Sequence, residues 1–70
     1  MDWHFVSSTN VEAIAYDLAT MELRVRFLKS GAVYVYYAVE EWVFQEFLQA
    51  DSPTTYLNNN IKTRYQYGKE

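Results

Sequence analysis

Hydrophobic and polar residues alternate along three segments in the first half of the chain, a pattern typical of β-strands that bury one face. The alternation predicts strands over residues 11–17, 22–27 and 33–37. Turn-forming residues separate these strands. Asp17 can accept backbone hydrogen bonds, and Gly31 can adopt the left-handed conformation that a short hairpin loop needs. The order predicts an antiparallel meander.

The hairpin between the second and third strands predicts which side chains share a face. Pairing Leu28 with Val33 puts Tyr34 and Tyr36 on the apolar side of the sheet, because cross-strand partners share a face. We therefore expect both tyrosines to be largely buried. The apolar side also carries Leu23, Val25 and Phe27, and the opposite side carries Arg24, Arg26, Leu28, Val33, Val35 and Tyr37.

The opposite side is unusually apolar for an open sheet face, which indicates that something covers it. Either Trp3 and Phe5 fold over it, or two copies of the chain meet there.

The hydrophobic period becomes helical over residues 40–50, with a stripe formed by Val43, Phe44, Phe47 and Leu48. Ser52 and Pro53 are typical of the cap and first position of a second helix. This helix should be short or irregular, because residues 58–60 are all asparagine. Residues 65–67 could add an extended segment. We predict one α+β domain over residues 1–70, a three-stranded antiparallel β-meander with one long and one short helix packed on one face.

The composition excludes several classes of chemistry. There is no cysteine, which rules out disulfides and thiolate metal sites. The single histidine, His4, has no catalytic partner at a suitable spacing. The longest apolar run, residues 32–39, is too short to cross a bilayer. We expect a cytoplasmic protein with no enzymatic activity, no cofactor, no metal and no membrane association.

The net charge of −3 argues against a general nucleic-acid binder, but the charge is unevenly distributed. Residues 22–37 and residues 61–70 each hold three cations against one carboxylate, whereas residues 38–60 hold four acids and no base. An ordinary mixed surface of no special function is the simpler interpretation of this distribution. If one patch binds a ligand, the two basic segments are the candidates.

A helix continuing through residue 65 would place polar, cationic and aromatic side chains on one stripe. Asn58 can form amide hydrogen bonds, Lys62 can contact phosphate and Tyr65 can stack on a base. The structural alternative is an asparagine cap, a lysine extended along the surface and a core tyrosine. The candidate nucleic-acid-binding residues are Asn58, Lys62, Arg64 and Tyr65, with Arg24 and Arg26 as a second patch. We expect weak, salt-sensitive binding of RNA or single-stranded DNA. The alternative is a protein partner or homodimer that uses the apolar sheet face and Trp42.

Short motifs over nearly the whole chain resemble the KTSC domain, named for the C-terminal extension of some bacterial lysyl-transfer-RNA synthetases. The matching pieces are Val6-Ser7-Ser8, Ile14-Ala15-Tyr16-Asp17, Leu23-x-Val25-x-Phe27, Ser30-Gly31, Tyr34-x-Tyr36, Ser52, Tyr56-Leu57-Asn58, Asn60-Ile61 and Tyr65-x-Tyr67. The resemblance implies a bacterial or phage protein without established activity, with a suggested role in RNA or DNA binding. Ala15, Glu40 and Trp42 depart from the usual pattern, as does Thr54 or Thr55, where a glycine is common.

Overall fold

Five antiparallel strands and two helices make up the computed structural model, which describes residues 2–70. The elements are β1 (His4–Phe5), β2 (Val11–Asp17), β3 (Glu22–Phe27), β4 (Val33–Tyr36), α1 (Glu41–Gln49), α2 (Pro53–Tyr56), a π-helical segment (Leu57–Ile61) and β5 (Tyr67–Lys69). The strands follow one another across the sheet in sequence order. The predicted α+β class is confirmed, and the predicted meander forms the three central strands. The prediction of three strands is corrected to five, because β1 and β5 add to the two edges.

The pairing of β3 with β4 differs from the predicted register by two residues. Leu23 pairs with Tyr36, and Val25 pairs with Tyr34. A shift of two residues leaves every side chain on its predicted face, because side chains alternate with a period of two. Both tyrosines therefore lie on the same side of the sheet as Leu23 and Val25, as predicted.

The β3–β4 loop explains the change of register. The Phe27 amide donates to the Ala32 carbonyl over 2.9 Å, so the loop contains residues 28–31. Gly31 takes the last loop position with φ of 70°, a conformation that glycine adopts without steric cost. Leu28 consequently lies in the loop and is half exposed, and its predicted place on the sheet is wrong.

The hydrophobic core lies between the sheet and the helices. The predicted stripe of α1 is confirmed, since Val43, Phe44 and Phe47 are buried. Leu57 and Ile61 of the π-helical segment are fully buried as well. The core cluster consists of Val11, Ile14, Leu23, Val25, Tyr36, Val39, Val43, Phe44, Phe47, Leu57 and Ile61. Neither helix in the described part of the chain is long and apolar enough to cross a membrane.

The second helix begins as predicted and then widens. The Ser52 side chain accepts a hydrogen bond from the Thr55 amide at 3.3 Å, and Pro53 is the first helical residue. Across the asparagine run, the Lys62 amide donates to the Leu57 carbonyl, five residues back, over 2.9 Å. The second helix is thus short and irregular, as predicted. Because a turn follows the π-helical segment, the continuous helix that would align Asn58, Lys62 and Tyr65 on one stripe does not form.

The sheet face opposite the helices, here called the far face, is partly covered by the N-terminal segment. Trp3 is half-buried, with the Arg26 guanidinium 4.5 Å from its ring centroid. Phe5, opposite Ala13 in the sheet, remains 70% exposed. Val35 is only 5% exposed. The N-terminal segment therefore covers this face mainly through Trp3. Phe5 covers little of it, because most of its side chain is exposed to solvent.

Candidate functional site

A groove of about 760 Å³ opens on the helix-bearing face of the sheet, at the edge formed by β4 and β5. We call it the lysine groove. Its lining combines sheet residues with the β3–β4 loop, the residue before β2 and the residue after the π-helical segment. These residues are Asn10, Phe27, Lys29, Ser30, Ala32, Tyr34, Tyr36, Lys62, Tyr67 and Lys69.

The pairing of β4 with β5 builds the floor of the groove. Tyr36 lies opposite Tyr67, and Tyr34 lies opposite Lys69, so all four side chains share one face. Gly68 lies between the two β5 residues and therefore faces the other way. The Tyr37 hydroxyl would be 3.2 Å from a Cβ placed at Gly68, so the glycine gives room for that ring on the far face.

Four aromatic rings pack edge to face and face to face along the groove. The rings of Phe27 and Tyr34 meet at 86° with their centroids 5.4 Å apart. Tyr67 lies 5.6 Å from both Tyr34 and Tyr36, at interplanar angles of 30° and 37°. Tyr67 is 57% exposed, whereas Tyr36 is 1% exposed and Tyr34 is half-buried. Tyr67 thus offers ring surface to a ligand.

All three lysines of the chain line this groove, although the chain as a whole carries a net charge of −3. Lys29 comes from the β3–β4 loop, Lys62 from the end of the π-helical segment and Lys69 from β5. The Lys62 ammonium lies 5.8 Å from the centroid of the Phe27 ring. No carboxylate belongs to the lining, so the local charge is positive and favours an anionic ligand.

Tyr36, the buried tyrosine of the groove lining, keeps its hydroxyl proton at neutral pH. Burial, followed by the electrostatic effects of Tyr67 and Tyr34, raises the pKa of Tyr36 to about 12. A protonated phenol both donates and accepts hydrogen bonds. The groove therefore presents a neutral hydrogen-bonding group beside three ammonium groups.

The structure separates the four residues of the first predicted patch. Lys62 lies in the lysine groove, and Asn58 is exposed outside the groove lining. The Tyr65 hydroxyl donates to Glu40 Oε1 at 2.7 Å, and its ring packs against the core. Burial and this hydrogen bond raise the pKa of Tyr65 to about 12. Arg64 is exposed, and its positive charge contributes to the lowered pKa of Glu40. Tyr65 and Arg64 therefore both interact with Glu40, at the start of α1, and not with the groove.

The second predicted patch lies on the far face. Arg24 bridges Glu22 at 3.1 Å and Glu70 at 2.9 Å, and the hydrogen bond to Glu70 is the main cause of its raised pKa. Arg26 stacks on Trp3. Arg24 thus links Glu70 to the sheet through an ion pair. Neither arginine lines the lysine groove.

Sequence reasoning missed Lys29, Lys69 and Tyr67 as site residues, and it assigned Tyr34 only to the core. The signal was the alternation of Tyr67, Gly68 and Lys69, which is compatible with a short strand. Pairing that strand with β4 would have placed two more side chains beside the tyrosines of β4. A three-residue strand is too short to stand out by periodicity alone.

Comparison with known proteins agrees with the predicted resemblance. The family model of the KTSC domain matches residues 7–65. A protein from Tsukamurella paurometabola is 39% identical over 61 residues, which cover 87% of this chain and 90% of that protein. The crystal structure of a KTSC domain protein from Yersinia pestis superimposes with a TM-score of 0.92 at 29% identity, covering 99% of this chain and 96% of the other. The chain therefore belongs to the KTSC domain family.

Proposed function

We propose that this protein is a non-catalytic binding module that holds single-stranded RNA or DNA in the lysine groove. The observation that carries the proposal is the gathering of all three lysines around four aromatic rings, with no carboxylate in the lining. Cations beside exposed aromatic rings are the usual means of holding a single strand.

Each part of the groove has a role in this proposal. The ammonium groups of Lys29, Lys62 and Lys69 contact phosphates, and the exposed ring of Tyr67 stacks on a base. Three phosphate contacts are few, and the net charge of −3 repels the rest of the strand. Affinity is therefore modest and falls as salt is added.

The salt dependence of binding tests this proposal. Three phosphate contacts on a single strand predict that log K falls with log salt concentration with a slope of about −2. Lys62→Ala removes one contact, so it should weaken binding and reduce the slope by about 0.7. Arg64→Ala removes an exposed cation outside the groove and is the matched control. Fluorescence anisotropy of a labelled uridine hexamer, measured over a series of salt concentrations, gives both quantities.

Two results would overturn the groove as the site. In one, Lys62→Ala keeps the wild-type affinity and slope. In the other, Arg64→Ala loses as much affinity as Lys62→Ala, which would return the site to the first predicted patch. If the wild-type protein binds no oligonucleotide at low salt, nucleic-acid binding itself is wrong.

Self-association through the far face stays a separate prediction. The half-buried Trp3 covers part of this face and Val35 is already 5% exposed, so the apolar area left open is smaller than the sequence indicated. Phe5 and Trp42, at 70% and 54% exposure, remain available to a partner. Association of this kind depends little on salt, which distinguishes it from phosphate binding.

A further inference from the structure

Tyr36 combines almost complete burial with a hydroxyl group that bonds to no other described residue. The residue is 1% exposed, and it lines the lysine groove. The described structure holds no buried side-chain oxygen or nitrogen without a partner. The Tyr36 hydroxyl makes no hydrogen bond within residues 2–70, so it cannot be one of the fully buried polar atoms. It is therefore the part of Tyr36 that reaches the surface, and it faces the groove that Tyr36 lines.

Three other tyrosines that pack against the core form hydrogen bonds through their hydroxyls. The Tyr16 hydroxyl donates to the Val39 carbonyl, the Tyr56 hydroxyl to Glu46 and the Tyr65 hydroxyl to Glu40. A tyrosine in the core normally finds such a partner. A phenylalanine would fill this buried position as well, because the ring supplies the buried area. The hydroxyl of Tyr36 is the part that packing leaves unexplained.

We infer that the Tyr36 hydroxyl reads the edge of a nucleobase that enters the lysine groove, so that the groove takes one nucleotide unit of the strand. The inference rests on the proposed function and names the residue that would give it base preference. The base stacks on Tyr67, its polar edge meets the Tyr36 hydroxyl, and the adjoining phosphates lie against the lysines.

The dimensions and chemistry of the groove agree with this assignment. A volume of about 760 Å³ lies within the range of about 300–1,000 Å³ typical of sites for a single small ligand. The ring of Tyr67 lies 5.6 Å from that of Tyr36, so the stacking ring and the phenol are neighbours in the lining of one groove. A hydroxyl that bonds to the edge of a base distinguishes one base from another, whereas the lysines contact phosphates common to all sequences.

The variant Tyr36→Phe separates base reading from strand binding. It keeps the buried ring and removes an oxygen that has no partner among the described residues, so the thermal unfolding midpoint should stay near that of wild type. Affinities for labelled adenosine, cytidine and uridine hexamers are compared by anisotropy. We expect wild type to prefer one base and Tyr36→Phe to bind that oligomer about three- to tenfold more weakly, the loss of one hydrogen bond. The salt slope should not change.

Tyr37→Phe is the matched control, because it removes the neighbouring phenol from the far face and should retain the base preference. The inference is overturned if wild type binds all three oligomers equally, or if Tyr36→Phe keeps the full preference. It is also overturned if Tyr36→Phe weakens all three oligomers equally. If wild type binds none of them at low salt, the proposed function fails first, and that outcome is distinct from the other three.

Discussion

At the scale of single residues, the seven tyrosines of the chain divide into groups with different roles. Three of them line the lysine groove, namely Tyr34, Tyr36 and Tyr67. Three others donate hydrogen bonds: Tyr16 to the Val39 carbonyl, Tyr56 to Glu46 and Tyr65 to Glu40. The seventh, Tyr37, packs over Gly68 on the far face. The alternation in the sequence predicted correctly which face Tyr34 and Tyr36 share. It could not show that the helices leave Tyr34 half-open, because the reach of a helix over a sheet depends on packing between distant segments.

The hydrogen bond between Tyr65 and Glu40 predicts how stability depends on pH at both extremes. Burial and this bond raise the pKa of Tyr65 to about 12 from an ordinary value of 10.0. Because the native state holds the proton more tightly, this contribution to the free energy of unfolding is complete below pH 10 and is lost between about pH 10 and 12. The same bond is the main cause of the lowered pKa of Glu40. That contribution is complete above the ordinary glutamate value of 4.5 and is lost as the pH falls through the lowered pKa.

Tyr65→Phe should therefore be less stable than wild type near pH 7, and its stability should fall less steeply at both extremes of pH. Urea unfolding followed by tryptophan fluorescence between pH 2 and 12 measures this. Tyr37→Phe, which leaves the tyrosines beside α1 intact, serves as the control and should follow wild type. A Tyr65→Phe profile that coincides with that of wild type at every pH would show that the bond contributes nothing.

At the scale of elements, the sequence predicted the three central strands within a residue or so, together with α1 and the cap of α2. The two edge strands escaped prediction because β1 has two residues and β5 has three, which is too short for a period-two pattern. The register of the central hairpin was wrong because it depends on which loop position Gly31 takes. The pattern of the flanking strands is the same for either choice.

The loop position of Gly31 can be tested by substitution. Its φ of 70° is left-handed, and an L-residue there costs about 1–2 kcal/mol. Gly31→Ala should lower the free energy of unfolding by about that amount, although open space surrounds the position where a Cβ would lie. Gly31→Asn should lose less, because asparagine tolerates the left-handed conformation better than alanine. Equal stability of wild type and Gly31→Ala in urea unfolding would contradict the loop geometry.

At the scale of the whole molecule, folding turns an acidic chain into one with a positively charged groove. The sequence located the two basic segments correctly, but it could not show that they meet. The pairing of β5 with β4 brings Lys69 opposite Tyr34, and the β3–β4 loop and the end of the π-helical segment add Lys29 and Lys62. Arg24, Arg26 and Arg64 point to other surfaces, where carboxylates or Trp3 lie close to them. The three lysines are far apart in the sequence and are brought together only by folding, so no local sequence pattern indicates that they share a groove.

The most direct test of the lysine groove as the binding site is a titration of amide chemical shifts with a uridine hexamer at low salt. Binding in the lysine groove predicts that the largest shift changes cluster in β5, in the β3–β4 loop and around Lys62. It predicts small changes in α1, whose surface carries Glu41 and Glu46, and on the far face around Arg26. Changes centred on α1 or on the far face, or no changes at high oligonucleotide concentration, would contradict it.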